Sequence, residues 1–382
     1  MQADDFNVKD LEGFSVRRCL RALDNDTSKK TAIFPDDWVE TDVTIDIPTK
    51  SKDDQPQSFS VQGFHFRPLV AVIRSAFADI QANAFHLFPF KRLWKDSLDN
   101  HEERVFDELY TSDSWLEAQD DLQRQPKEPG CSLERVIAGL MFFSDATHLA
   151  NFGTAKAWPL YLYFGNLSKY VRSSPTSGAC LLVGFLPSVC RLSPLFHACW
   201  NILLDAEFIS AYRHGIVLMC PDGILRRVFP RIFTYSANYP EKVLIATIKD
   251  MGACPCPRCL IPKASFDLLG LIRDMRDRVT SLRTYSLAKV TEAREFIYTW
   301  GNTVDGSKFL TFYENAFVNK LGLVVGFDAF RMLVVDFMHE CELGTWKALF
   351  THLIRLLYAL PGGDGLVACL DNRYVIYFSS LL

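Results

Sequence analysis

The pattern of apolar and polar positions changes character several times along the 382-residue chain. Before Phe64 it carries little signal. The stretch PTKSKDDQPQS (48–58) is polar, Pro-containing and poor in large apolar residues, the composition of a linker or disordered segment. Order is therefore expected to begin near Phe64. From Arg67 to Phe85, Leu69, Val70, Val72, Ile73, Phe77, Ile80 and Phe85 recur mostly at three-to-four spacing, which predicts a helix. Residues 102–124 predict a second, more charged helix with Val105, Phe106, Leu109, Tyr110, Trp115 and Leu116 on its buried face.

From about residue 134 the apolar runs shorten and become nearly continuous. VIAGLMFF (136–143) reads as a strand buried on both faces, ending in Ser144-Asp145. LYLYF (160–164) and CLLVGFL (180–186) are two more strands between turn-forming residues. His197–Tyr212 is helical in period, with Trp200, Leu203, Leu204, Phe208 and Ile209 on one side. Ile216–Met219 and Val228–Ser236 return to strand character, and Lys242–Ile248 starts another helix. Three strands, a helix and another strand, with an acid closing the first, is the element order of an RNase H-like α/β core. Residues 260–330 read mainly as helices, with Val290–Trp300 closed by Gly301. Leu333–Phe337 is a further strand. Trp346–Leu357 is amphipathic, and its stripe of Trp346, Leu349, Phe350, Leu353 and Leu357 is expected to pack into the core. Pro361-Gly362-Gly363 ends that helix, and no internal repeat is visible.

Composition adds exclusions. Apolar residues make up 49% of the chain and charged residues 23%, which rules out a wholly disordered chain, a collagen and a coiled coil. No run approaches the ~18–20 apolar residues of a membrane span, and the acidic start MQADDFNVKD is unlike a signal peptide. Eleven cysteines, an odd number spread through a long chain, point to reduced thiols in an intracellular protein, nuclear or cytoplasmic and not secreted. The net charge of −4 hides an asymmetry. Residues 1–60 carry −5 and the remainder +1, while Arg226 to Lys263 holds seven bases against two acids. Such a stretch can follow a phosphate backbone or simply be a solvated surface.

Four features are candidates for chemistry. Asp145, just beyond a buried strand, suits a metal ligand in a hydrolase or nucleotidyl transferase, although its position alone better suits a helix cap or turn. Cys254, Cys256 and Cys259 (CPCPRC) have the spacing of a zinc knuckle or ribbon, with buried or free thiols as the alternative. Pro255 and Pro257 argue against the helix that a redox pair would open. A fourth zinc ligand would come from far away, His339 or Cys341 being nearest downstream. Asp336 and His339 lie three apart, so they can share a helix face or a hydrogen bond. Asp222, in Pro221-Asp222-Gly223, reads best as a turn residue between two strands. Phosphate-cradling glycine loops and a G-x-S-x-G elbow are absent.

Read together, three blocks resemble a known family. FFSDATHLANFGTAKAWPLYLYFGNLSKYVR (142–172), RRVFPRIFTYSANYPEKVLIATIKDMGACPCPRCLIPK (226–263) and MLVVDFMHECELGTWKALFTHLIRLLYAL (332–360) look like the Plavaka-type transposases, fungal, CACTA-related cut-and-paste elements. The resemblance implies an RNase H-like domain with a DDE-type site. Such a site cuts and rejoins transposon-end DNA with two divalent ions, Mg²⁺ or Mn²⁺, held by carboxylates about 4 Å apart. Asp145 matches the first catalytic aspartate. The second falls in a Tyr-Ser-Ala-Asp-Tyr-Pro-Glu block, where this chain has Asn238, an amide that contributes no negative charge. The Cys motif and Asp336-x-x-His339 match features of the insertion before the third acid. That acid is expected well downstream of His339, and the chain stops 43 residues later.

The resulting expectation is a truncated, catalytically inactive transposase remnant. Its mixed RNase H-like sheet is flanked by helices and carries a helical Cys-containing insertion. The expected divisions are an acidic, loosely ordered segment (1–60), a helical region (61–130), the first part of the core (131–250), the insertion (251–331) and a last strand and helix (332–382). Two alternatives stay open: an active enzyme in which Asp222 or Glu241 replaces the missing acid, and a host-adopted module with structural Zn²⁺ and no chemistry. No membrane partner is expected, and the oligomeric state is left open.

Overall fold

The computed structural model describes residues 37–49, 56–95, 101–148, 156–187, 193–300, 314–322 and 327–379. Residues 50–55 of the polar stretch, residues 188–192 and the segment 1–36 lie outside them. The chain divides into two compact units, 1–38 and 39–382; of the first, only Asp37 and Trp38 are described.

The second unit is a mixed α/β structure built on one large sheet. Its strands are β1 (Val39–Ile47), β2 (Gln57–Phe66), β5 (Glu134–Ser144), β8 (Pro159–Phe164), β9 (Leu181–Phe185), β10 (Ile216–Met219), β11 (Leu225–Ser236) and β12 (Leu333–Val334). Two small pairs stand apart from it: β3 (Arg92–Lys95) with β4 (Glu102–Val105), and β6 (Thr147–His148) with β7 (Lys156–Ala157). The order across the large sheet is β1-β2-β9-β8-β5-β11-β10, with β12 also on β11. Neighbours run antiparallel except at two junctions, β5 with β11 and β11 with β12.

The continuous apolar run in β5 follows from cover on both faces. Val136, Ala138, Leu140 and Phe142 enter the main core, where the helices Leu69–Ala78, Ser193–Leu203 and Ala206–His214 pack, and Ile137 points into a second cluster with Trp115, Leu122 and Phe229. The helix Asp113–Arg124 supplies Trp115 and Leu122, and the Ser112 side chain caps it by accepting from Trp115 N–H.

Several expectations shift. Residues 102–124 are not one helix: β4 comes first, then a 3₁₀ turn at Leu109–Thr111, then the capped helix. Order starts well before Phe64, since Val43 and Ile45 of β1 sit in the main core. His197–Tyr212 is broken between Leu203 and Ala206, where Asp205 caps the second helix. The largest departure is the amphipathic helix, Lys347–Ala359, which buries none of its residues. Leu349 and Leu353 are 47% and 42% exposed. No helix among the described residues is long and apolar enough to cross a membrane.

Candidate active site

Three parallel strands end on the same side of the sheet, and each is followed within two residues by a polar group. β5 delivers Asp145, β11 delivers Asn238 and β12 delivers Asp336. The crevice beyond the C-terminal ends of such strands is where open α/β sheets bind ligands, because side chains there are held by rigid backbone yet face out of the sheet. Sequence reasoning named all three residues without showing that they converge.

Asn238 is the N-cap of the helix Tyr239–Ile245, and its Oδ1 accepts the backbone N–H of Glu241 at 3.1 Å. The cap fixes the amide. With the oxygen turned to the helix, Nδ2 faces Asp145 and donates to its Oδ1 at 3.4 Å. Asp336 caps the π-helix Phe337–Trp346 in the same way, with Oδ1 on the His339 N–H at 3.1 Å, while its Oδ2 lies 2.6 Å from His339 Nδ1. That contact leaves His339 Nε2 turned toward Asp145 Oδ2 at 3.8 Å. The Asp336 hydrogen bond raises the His339 pKa, and the charges of Asp336, Asp145 and Glu340 add to the effect. When protonated, the His339 ring, which lies between two carboxylates, balances part of their charge.

Beneath this surface lies a buried network that the sequence did not disclose. Ser144 Oγ is 2.7 Å from Tyr235 Oη and donates to the Glu241 carboxyl. Glu241 is 4% exposed, and burial pushes its pKa up to about 8, with the charges of Asp145 and Asp336 pushing the same way. Next to it, the buried Lys242 pairs with Glu340 and donates to the Val334 carbonyl at 3.3 Å, tying the helix Tyr239–Ile245 to the π-helix and to β12. Glu241 therefore supports the site from below. Asp222 cannot join it. It sits before β11, where Arg226 holds it at 2.7 Å, at the opposite end of the strand from Asn238.

The basic stretch 226–263 also loses its simple meaning. Arg226 is buried between Glu134 and Asp222, Arg231 is buried in the fold, and Lys242 is paired internally. Much of the excess charge is thus inside the molecule rather than on a solvated face.

The cysteine motif folds apart from Asp336 and His339, which go to Asp145 instead. Cys256 accepts the Arg258 N–H at 3.4 Å. Hydrogen bonds to the Cys256 sulfur outweigh its burial and lower its pKa, whereas burial raises that of Cys259. Arg283 clamps the loop by donating to the carbonyls of Cys254, Cys256 and Cys259 at 2.7, 2.9 and 3.3 Å. Tyr239 Oη reaches the Pro255 carbonyl at 3.2 Å, joining the loop to the Asn238-capped helix.

Among the described residues, no three His, Cys, Asp or Glu side chains are grouped so as to hold a metal ion. The donor set at the strand ends does not fit a two-metal pair. Asp336 is engaged by His339, and a hydrogen-bond donor occupies the place beside Asp145 where a second carboxylate oxygen would be needed.

The family model described as Plavaka transposase matches residues 31–355, most of the chain. The chain belongs to the Plavaka transposase family. All three convergent residues and the cysteine loop fall within the matched region, so this is a transposase-like protein of a transposable-element family. Plavaka membership implies, in general terms, the use of divalent metal and of transposon-end DNA. A search of curated proteins gives no match.

Proposed function

We propose that this chain is a DDE-type transposase homologue with an RNase H-like core whose catalytic centre is disabled at Asn238. The strand order supports the fold reading: β9-β8-β5 form an antiparallel meander, and β11 and β12 continue it in parallel with β5. The observation that carries the functional reading is the Asn238–Asp145 hydrogen bond. In an active member, two carboxylates at these positions repel each other unless cations lie between them, and that repulsion is what recruits the metal. Here the amide satisfies Asp145 directly. Residual recognition of transposon-end DNA, in the nucleus, remains part of this reading.

The test is incubation of the purified protein with transposon-end DNA and Mg²⁺ or Mn²⁺, reading nicking and strand transfer. No product is expected. Metal-dependent cleavage that disappears in Asp145→Ala would overturn the inactive reading.

The N–H···S bond at Cys256 and the spacing of Cys254, Cys256 and Cys259 favour a second role, a structural zinc site that organises the loop for binding. Purified protein should then contain roughly one zinc per chain, lost in Cys256→Ser and Cys259→Ser. Metal-free, fully folded protein would remove that role.

A further inference from the structure

Arg231 places a buried positive charge beside a cavity. It is 8% exposed and lies in the part of β11 between the pairing with β10, which ends at Val228, and that with β12, which begins at Tyr235. Its Nη1 donates to the carbonyls of Tyr212 at 2.7 Å and Pro230 at 2.8 Å, and the guanidinium lies 4.4 Å from the centre of the Tyr212 ring. No carboxylate among the described residues pairs with it, and Nε and Nη2 have no hydrogen-bond partner there. An arginine stays protonated even when buried, so the charge persists and needs a counter-charge.

A cavity of about 300 Å³ opens beside it, walled by Arg231, Arg258, Leu122, Phe233 and Met332 among others. Of the acids that also line the cavity, two are paired with arginines and the third, Asp328, is held by backbone N–H groups and keeps its charge. Glu117 pairs with Arg331 at 2.9 Å, Asp121 with Arg124 at 2.8 Å, and Asp328 Oδ1 accepts the N–H groups of Phe330 and Arg331. Arg258, on the exposed rim, has no carboxylate partner among the described residues. Two guanidinium groups without an ion-pair partner among the described residues and an apolar wall therefore share one pocket, with Asp328 as its one unpaired acid.

We propose that this cavity binds a phosphate monoester of mononucleotide size. The phosphoryl oxygens would accept from Arg231 and Arg258, whose forked donors match them, and the organic part would rest on Leu122, Phe233 and Met332. A lone inorganic anion would leave that apolar wall uncovered. The ligand can be a free nucleotide or the 5′-phosphate end of a DNA strand. None of these residues belongs to the Asp145 cluster, so the inference stands whether or not the inactive-transposase reading survives.

The test is thermal unfolding and calorimetric titration of the wild type, Arg231→Met and Arg258→Ala. The probes are deoxyadenosine monophosphate, deoxyadenosine, and one oligonucleotide with and without a 5′-phosphate. The monophosphate should raise Tm saturably and deoxyadenosine should not. Arg231→Met should abolish the effect, and Arg258→Ala should weaken binding about tenfold. Should Arg231→Met fail to fold, the rim variant Arg258→Ala carries the test alone. A preference for the phosphorylated over the hydroxyl oligonucleotide identifies a DNA end as the source, and binding of the monophosphate alone identifies a nucleotide. No response to any phosphate probe, or an undiminished response in the variants, would overturn the proposal and leave Arg231 as a plug for the open edge of β11.

Discussion

Asn238 shows how one amide performs two incompatible duties. Its oxygen caps a helix, as an aspartate would, but its nitrogen then donates to Asp145 where an aspartate would place a second anionic oxygen. Asn238→Asp should keep the cap, whereas Asn238→Ala should lose about 1 kcal/mol in urea unfolding; an unchanged alanine variant would mean that capping does not orient this side chain. Glu241 makes a pH-dependent prediction. Folded, its carboxyl holds its proton up to about 8; unfolded, an ordinary glutamate releases it near 4.5. Its share of stability is therefore whole below pH 4.5 and is lost as the pH rises through about 8. Glu241→Gln should avoid that loss, so its advantage over the wild type should grow across this window by at most ~1.4 kcal/mol per pH unit and then level off. A difference that is flat with pH would contradict a protonated Glu241. Asp145 was legible in the sequence because it closes an apolar strand, and Asn238 because it stands where the family block carries an aspartate. The network of Ser144, Tyr235 and Glu241 was not, although Glu241 was a candidate acid, because only the pairing of β5 with β11 brings them together.

At the scale of elements, β5 was readable from its composition and the reason is now specific. Its even-numbered apolar residues enter one core and Ile137 enters the other. Between them Gly139 is required by close approach, since a Cβ there would lie 2.3 Å from the ring of the fully buried Trp115. Gly139→Ala should cost about 1–3 kcal/mol, measured by chemical unfolding, and should cost less in a Trp115→Leu background. Equal cost in both backgrounds would show that the indole is not the obstacle. β1 was overlooked although Val43 and Ile45 alternate with polar residues, because so short an alternation among acids carries little weight alone. The helix Lys347–Ala359 failed in the opposite direction. Its stripe reports that a face is apolar, not that this chain covers it, and Leu349 and Leu353 remain half-exposed.

At the scale of the molecule, the candidate site depends on three segments far apart in sequence, each positioned by one of three parallel strands. The strands β5, β8, β9, β10, β11 and β12 were legible, but convergence of Asp145, Asn238 and Asp336 needed the register of the sheet, and the Asp336–His339–Asp145 chain needed the π-helix turned back over the strand ends. Asp145, Asn238, Asp336 and His339 therefore converge in this chain, and in our account the Asn238 amide, together with the engagement of Asp336 by His339, keeps the cluster from binding metal. Calorimetric titration of Mn²⁺ into the wild type, Asn238→Asp and the double variant Asp145→Ala/Asn238→Asp tests that account most directly. Asn238→Asp should bind Mn²⁺ at least about tenfold more tightly than the wild type, and the double variant should lose the gain; equal Mn²⁺ affinity in the wild type and Asn238→Asp would contradict it.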